Sequence, residues 1–327
     1  MKLPLSIIAT GKALPSERLL SSDLDARLGL QTGTVAKKSG IQWRYFASAE
    51  QTQSQLAAEA LQDACQHHGI DTNSIDLLIC ASAIPEQVLP NTASAVIQAA
   101  GLKNGLAAFD VNASCISFMT ALFQAAALLQ TKVYRRIAIV SAEIASRGLN
   151  WDDAESSFIF GDGAAAVIVE AGDGIAACVA QRLEVHPVGR TFCQIKAGGT
   201  QRNPRMGLLE TDHYFQMQGK PVFKLASQLL PAFIHNLFSD LPYTFHEVDW
   251  VVPHQASHLS MEHLKNRLGL DSQKIIDIYA THGNQVAASM PMALHELYRS
   301  GKTQSGQKVL LIGTAAGFAM GGMVLSL

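Results

Sequence analysis

The sequence predicts an α/β protein made of two related halves, and three observations lead to this prediction. Short stretches rich in Val, Ile and Leu alternate with longer helix-like stretches along the chain, which is typical of strands covered by helices on both faces. Segments about half a chain apart resemble one another. Glycine-containing turns such as Phe160-Gly-Asp-Gly precede strand-like stretches and supply tight chain reversals.

The internal repeat has a nearly constant offset. Three pairs of segments agree at 172 or 173 residues, namely Asp76 with Asp249, Ile137 with Val309, and 117–122 with 289–294. Such agreement predicts two halves, 1–172 and 173–327, and the period is far too long for a solenoid.

Each half has the same predicted order of elements. After a strand and turn at the N-terminus, we expect in the first half helices over 53–68, 92–100 and 116–130, with strands over 77–81, 107–111, 137–141 and 164–170. In the second half we expect helices over 221–238, 258–268 and 286–299, with strands over 250–253, 275–279, 309–313 and 322–325.

Composition excludes several classes of function. The net charge of −2 over 327 residues gives no indication of nucleic-acid binding. No apolar stretch is long enough for a membrane span, and the N-terminus lacks the pattern of a signal peptide. The five cysteines form no C-x-x-C pair. We therefore expect a cytoplasmic protein without disulfides, metal or membrane contact.

Cys115 lies between a strand-like and a helix-like stretch, in Asp110-Val-Asn-Ala-Ser-Cys. A thiol at a helix N-terminus faces unpaired N–H groups and the positive end of the helix dipole, which favour the thiolate. Cys115 therefore fits either a nucleophile or an inert core cysteine.

Two later loops carry polar groups at equivalent strand ends. His254 follows the strand 250–253, and His282-Gly283-Asn284 precedes the helix 286–299. Folds of this kind place their sites at such loops. The alternatives are a structural His254, an Asn284 that only caps a helix, and a solvent-exposed His282, which we expect for that residue.

The motifs around these residues, together with Phe160-Gly-Asp-Gly and the late Gly313-Thr-Ala-Ala-Gly-Phe, resemble the β-ketoacyl-ACP synthase III family of the thiolase superfamily. The resemblance covers essentially the whole chain. It implies a thiolase-like fold in which the two duplicated halves form a five-layered αβαβα architecture. It also implies a Cys-His-Asn triad of Cys115, His254 and Asn284, with no metal or redox cofactor.

The resemblance implies a two-stage reaction. Cys115 attacks an acyl thioester and carries the acyl group, while the backbone N–H groups of Cys115 and Ala316 form the oxyanion hole. His254 and Asn284 then donate hydrogen bonds to a malonyl thioester, which we expect to be malonyl-ACP, as it loses carbon dioxide. The product is a β-ketoacyl thioester, and we expect a specialised lipid or polyketide pathway.

Other positions match the substrate site of the family. Those that we expect to contact substrate are Leu89, Phe160, Met217, Phe223 and Ser257. Leu89 corresponds to a side chain that enters the acyl tunnel of the partner subunit, and it is not the glutamate of head-to-head long-chain condensing relatives.

Side chains that hold CoA in the family are missing. Thr34 stands for a stacking Trp, Ala154 and Leu259 for arginines, and Ser257 for an asparagine. Without a stacking platform and two cations, a CoA head group is held more weakly. We therefore expect acyl groups from an acyl carrier protein, or from a CoA ester held mainly by its acyl chain.

Two alternatives differ from a homodimeric synthase. One is an acyltransferase on the same fold that passes the acyl group of Cys115 to another nucleophile. The other is one subunit of a heterodimeric synthase. The intact Asn284 favours decarboxylation, since a pure transferase has no enolate to stabilise.

Overall fold

The computed structural model describes residues 2–172 and 174–327, which form two five-stranded mixed sheets with helices between and outside them. The strands are β1 (Leu3–Pro4), β2 (Ser6–Ala13), β3 (Glu17–Leu20), β4 (Trp43–Phe46), β5 (Leu77–Cys80), β6 (Ala107–Asp110), β7 (Arg136–Glu143), β8 (Gly163–Glu170), β9 (Ala177–Val185), β10 (Cys193–Gln194), β11 (Gln216–Met217), β12 (Trp250–Pro253), β13 (Lys308–Ala315) and β14 (Ala319–Ser326). The α-helices are α1 (Ser21–Arg27), α2 (Thr34–Ser39), α3 (Gln53–His68), α4 (Thr92–Ala99), α5 (Ser117–Gln130), α6 (Ala154–Ser157), α7 (Gly219–Phe238), α8 (His258–Leu268), α9 (Tyr279–His282) and α10 (Ser289–Arg299).

The two large sheets share one strand order. The first runs β2-β8-β7-β5-β6, and the second runs β1-β9-β14-β13-β12. In both, the last strand of the half-chain pairs antiparallel with its two neighbours, and the next pair is parallel. This common order supports the proposed duplication. The boundary between residues 172 and 173 stays a prediction, and Asp173 lies outside the described residues.

Five layers follow from the packing of the helices. Helices α5 and α10 lie between the sheets, in a core that contains side chains of both. Helices α3 and α4 cover the outer face of the first sheet, and α7 and α8 cover the outer face of the second. The αβαβα architecture is therefore confirmed. It buries both faces of each sheet, which is why the strands are apolar throughout rather than alternating.

Most predicted elements are present, with ends that agree within three residues. The exception is the strand expected over 275–279, which was wrong. There, Ile275 forms only an isolated bridge with Val251, and Tyr279 already begins a short helix.

A buried glutamine explains the missing strand. The Gln255 side chain is inaccessible to solvent; its Nε2 donates to the carbonyl of Ile276 at 3.0 Å, and its Oε1 accepts from the N–H of Ile278 at 3.0 Å. One side-chain amide thus satisfies the backbone groups that a strand ladder would otherwise pair.

We expect Gln255→Leu to destabilise the fold by about 3 kcal/mol, because it leaves buried backbone groups without partners. Urea unfolding of the variant measures this free energy. The matched control is Gln273→Leu, on an exposed side chain, which should remain close to the parent protein. An unchanged midpoint for Gln255→Leu would contradict this account of the segment.

Candidate active site

Cys115 lies in a tight turn between β6 and α5. The residue before it, Ser114, has a φ of 53°, a conformation that non-glycine residues rarely adopt. The same turn recurs 172 residues later, where Val286 has a φ of 48° ahead of α10. In the repeat, the position of Cys115 is taken by Ala287, so only the first half carries a thiol at this turn.

Asn284 is held by backbone contacts across the two halves. Its N–H donates to the carbonyl of Ile159 at 2.7 Å, and its own carbonyl accepts from the N–H of Gly161 at 3.1 Å. Glycine is required at the preceding position, because Gly283 has a φ of 69° and a Cβ there would lie 3.0 Å from the carbonyl of Ile159.

The Asn284 side chain has a fixed orientation. Its Oδ1 accepts from the N–H of Val286 at 2.8 Å, and its Nδ2 donates to the carbonyl of Ala256 at 3.2 Å. The amide therefore does cap the turn before α10, as the alternative interpretation required. Its second Nδ2 hydrogen has no partner among the described residues and is free to meet a ligand.

His254 follows the last residue of β12 and is only 7% exposed. Its Nδ1 lies 2.7 Å from the hydroxyl of Ser289 on α10. Burial lowers the pKa of His254 to about 4, so the imidazole is neutral at physiological pH. A Cβ on Gly313 would lie 2.8 Å from that of His254, so glycine on β13 makes room for the imidazole.

The three residues line one cavity of about 1290 Å³. Of the expected substrate contacts, Phe160, Met217, Phe223 and Ser257 also line it. The fifth, Leu89, is 83% exposed on the loop between β5 and α4 and does not line the cavity of its own chain. A role for Leu89 in substrate binding therefore depends on a second subunit and stays a prediction.

Two backbone N–H groups are directed at the Cys115 sulfur. Those of Ala316 and of Cys115 itself both lower the pKa of the thiol. Ala316 belongs to the short turn between β13 and β14, where Gly317 and Phe318 have φ values of 80° and 50°. These are the two N–H groups expected to form an oxyanion hole, and here they converge on one point.

The protonation state of Cys115 differs from the sequence-based expectation. Burial dominates and raises the pKa of the thiol to about 12, although the two N–H groups oppose it. Cys193 and Glu143 raise it further. Because α5 begins only at Ser117, the thiol also lies ahead of the first helical turn, where the dipole effect fades. Cys115 is therefore a neutral thiol at physiological pH.

Some site residues were missed from the sequence. Cys193, on β10, lines the cavity and influences the pKa of Cys115, but no motif marked it. Cations lining the cavity were missed for the same reason; these are Lys38, Arg190 and Lys220. Ser289 stood in a motif that we recognised, yet nothing in the sequence showed that it would contact His254.

His282 is not the solvent-exposed residue that we expected. It is 9% exposed, and its Nδ1 lies 2.8 Å from the hydroxyl of Thr281. Burial lowers the pKa of His282, and its Nε2 has no hydrogen-bond partner among the described residues. The expectation failed because the loop between α9 and α10 packs beneath the first half of the chain, against Gly161.

The positions that hold CoA in the family are occupied in other ways. Ser257 caps α8, accepting from the N–H of Ser260 at 3.2 Å. Ala154 and Leu259 line the cavity without any charge, and Leu259 is 73% exposed. Thr34 does not line the cavity, and its hydroxyl donates to the carbonyl of Gln31.

Two searches restricted to the described residues gave negative results. None of their helices is both apolar and long enough for a membrane span. Likewise, their His, Cys, Asp and Glu side chains form no group of three or more that would suit a metal ion.

We expect alkylation of Cys115 by iodoacetamide to be slow at neutral pH and to accelerate steadily as the pH rises, because the reactive thiolate is scarce below its pKa. Intact-mass analysis at a series of pH values measures the rate. Cys115→Ser serves as the control, since it reports labelling of Cys193 and the other thiols. A rate that levels off below about pH 9 would contradict the raised pKa.

Comparison with known proteins gives one consistent result. Residues 109–184 match the family described as 3-oxoacyl-[acyl-carrier-protein (ACP)] synthase III, and residues 239–327 match its C-terminal part. The chain is 34% identical, over 98% of both chains, to β-ketoacyl-[acyl-carrier-protein] synthase III of Neisseria meningitidis serogroup C and to that of Neisseria gonorrhoeae.

Solved structures agree. The 3-oxoacyl-ACP synthase III of Thermus thermophilus superposes with a TM-score of 0.89 at 27% identity, covering 98% of this chain and 99% of that one. OleA of Xanthomonas campestris, with bound lauric acid and lauroyl-CoA, gives 0.85 at 20% identity, covering 99% of each chain, which shows a shared fold only. The chain therefore belongs to the 3-oxoacyl-ACP synthase III family of the thiolase superfamily, whose members are condensing acyltransferases.

Proposed function

We propose that this chain transfers an acyl group from a thioester to Cys115 and then condenses it with a malonyl thioester. In the first stage, the sulfur of Cys115 bonds to the acyl carbon. The bond from that carbon to the carrier sulfur breaks, and the carrier leaves as a thiol with the proton that Cys115 loses. In the second stage, the malonyl group releases carbon dioxide, its carbanion bonds to the acyl carbon, and Cys115 regains its thiol.

The observation that carries the proposal is the convergence of four groups on one cavity. The Cys115 sulfur has the N–H groups of Cys115 and Ala316 directed at it, while His254 and Asn284 line the same space. An anion that develops at the acyl oxygen is stabilised by such preorganised donors, which need no reorganisation during the reaction.

The orientation of Asn284 supports decarboxylation. Its Oδ1 and one Nδ2 hydrogen are used by the backbone, so a single N–H donor remains for a thioester oxygen. An enolate oxygen needs this kind of donor, whereas simple acyl transfer from Cys115 to another nucleophile does not. We infer a synthase rather than a plain acyltransferase.

Intact-mass spectrometry of Cys115 tests the proposal in two stages. Incubation with acyl thioesters on CoA or on acyl carrier protein should add the acyl mass to the parent protein and not to Cys115→Ala. Malonyl thioester should then remove the adduct and release a β-ketoacyl product.

Other outcomes contradict particular parts of the proposal. An adduct that persists on Cys115→Ala excludes Cys115 as the acyl carrier. Acylation that malonyl thioester fails to discharge favours the acyltransferase, and no acylation by any donor favours one subunit of a heterodimeric synthase.

The mouth of the cavity favours an acyl carrier protein as donor. Positions 154 and 259 carry Ala and Leu, and the hydroxyl of Ser257 is engaged in capping α8. Lys38, Arg190 and Lys220 are exposed cations that line the cavity, where they can meet an anionic carrier. We infer that the carrier protein, rather than the adenine end of CoA, supplies most of the recognition.

We expect Leu259→Arg to raise kcat/KM for acyl-CoA by about two- to fivefold, because it adds a phosphate-pairing cation at an exposed position. The ratio of acyl-CoA to the matching N-acetylcysteamine thioester, which lacks phosphates, isolates this effect. Leu209→Arg is the control, since Leu209 is exposed and lies away from the cavity lining. An equal change with both thioesters would contradict the assignment of this position.

We further propose a cytoplasmic homodimer. Loop 84–90 exposes Ile84, Val88 and Leu89, which suits burial against a second copy and delivery of Leu89 to its partner's cavity. The five cysteines are all free thiols, as a reducing compartment requires.

A further inference from the structure

Ser289, the first residue of α10, is a polar contact of His254 whose role the reaction above leaves open. Its side chain is inaccessible to solvent. Its hydroxyl lies 2.7 Å from Nδ1 of His254 and 2.8 Å from the carbonyl of Val286. The position of the hydroxyl proton therefore decides which nitrogen of His254 carries a hydrogen.

The carbonyl of Val286 settles the direction. A carbonyl oxygen only accepts, so the 2.8 Å contact is a hydrogen bond only if the Ser289 hydroxyl donates. The same hydroxyl has a single hydrogen, and it must then accept from His254. In the opposite arrangement, two oxygen atoms would lie 2.8 Å apart with no hydrogen between them.

The duplicated turn provides an internal comparison. Ser117 occupies the equivalent position at the start of α5, and its hydroxyl donates to the carbonyl of Ser114 at 2.6 Å. That hydroxyl also accepts from the backbone N–H of Ala113 at 2.9 Å, a group that can only donate. In the first half the proton thus points at the carbonyl three residues back, and the second half repeats the geometry.

We propose that Ser289 is a positioning residue that holds His254 with its hydrogen on Nδ1, so that Nε2 presents a lone pair to the cavity. The tautomer itself follows from the hydrogen bonds; its use in the reaction rests on the function proposed for Cys115. Among the described residues, Nε2 has no partner, which leaves it available to a substrate or to the thiol.

This arrangement suits the first stage of the reaction. Cys115 is a neutral thiol, so its proton must move as its sulfur bonds to the acyl carbon. Nε2 of His254 accepts that proton, and the Nδ1–H bond to Ser289 steadies the imidazolium that forms. When the bond from the acyl carbon to the carrier sulfur breaks, Nε2 returns the proton to the carrier, and His254 is neutral again.

The same arrangement changes the second stage. The sequence led us to expect two neutral donors to the malonyl oxygen, His254 and Asn284. With its hydrogen on Nδ1, a neutral His254 offers no donor there, and the free Nδ2 hydrogen of Asn284 carries that role. Ser289 therefore matters more for acylation than for condensation.

Nitrogen-15 NMR of histidine-labelled parent protein tests the tautomer directly, with the His254 signals identified by their loss in His254→Ala. We expect coupling patterns of an Nδ1–H imidazole near neutral pH. An Nε2–H spectrum for the parent protein overturns the proposal, and this holds whatever substrate the enzyme uses.

Single-turnover kinetics of Ser289→Ala test the function of the contact. We expect acylation of Cys115 to slow by about 10- to 100-fold, with a smaller loss in malonyl-dependent discharge of the isolated acyl-enzyme, and a mixture of His254 tautomers by NMR. The matched control is Ser157→Ala, which removes a fully buried hydroxyl that donates to the carbonyl of Asp153 at 2.8 Å. It should leave both half-reactions close to the parent rates.

The two proposals fail in different ways. If the parent protein is never acylated, the proposed function fails while the NMR result still decides the tautomer. If Ser289→Ala retains the parent tautomer and slows both half-reactions equally, Ser289 is merely structural, and the present inference is wrong. An unchanged acylation rate in a folded variant is equally contrary to it.

Discussion

The packing of α5 and α10 between two sheets is the constraint on which the rest of this structure depends. Both helices are covered by strands of both sheets, so neither can shift without disturbing the core on two sides. Each helix begins at a serine that follows a turn with a positive φ, at Ser114 and at Val286. The core therefore fixes where the two turns lie, and these turns carry Cys115 and the neighbours of Asn284.

Duplication followed by divergence explains how one fold supplies two kinds of chemistry. The repeated turn presents a thiol in the first half and a methyl group at Ala287 in the second. The serine one turn later also diverges in use. Ser117 accepts from a backbone N–H within its own loop, whereas Ser289 accepts from an imidazole that follows β12 in the second sheet. A local backbone feature in one half has become a contact to the site in the other.

Burial governs the electrostatics of the site more than any formal charge does. It raises the pKa of the Cys115 thiol and lowers that of His254, so both are neutral before substrate binds. Glu143 illustrates the same effect, since burial raises the pKa of its carboxyl to about 8 although it accepts from the N–H groups of Ala83, Ile84 and Ala287. An uncharged site avoids stabilising the thiolate in advance, and stabilisation is reserved for the oxyanion that forms during the reaction.

The sequence alone determined the α/β class, nearly all of the helices and strands, and the residues Cys115, His254 and Asn284, because periodic apolar stretches and short motifs are local signals. It failed at 275–279, where a distant side chain, Gln255, takes the hydrogen bonds of a strand, and at His282, whose burial depends on the opposite half of the chain. Only the tertiary structure decided the protonation of the thiol and the partner of His254. Those properties depend on burial and on contacts between residues far apart in the chain, such as Ser289 with His254, which no local pattern encodes.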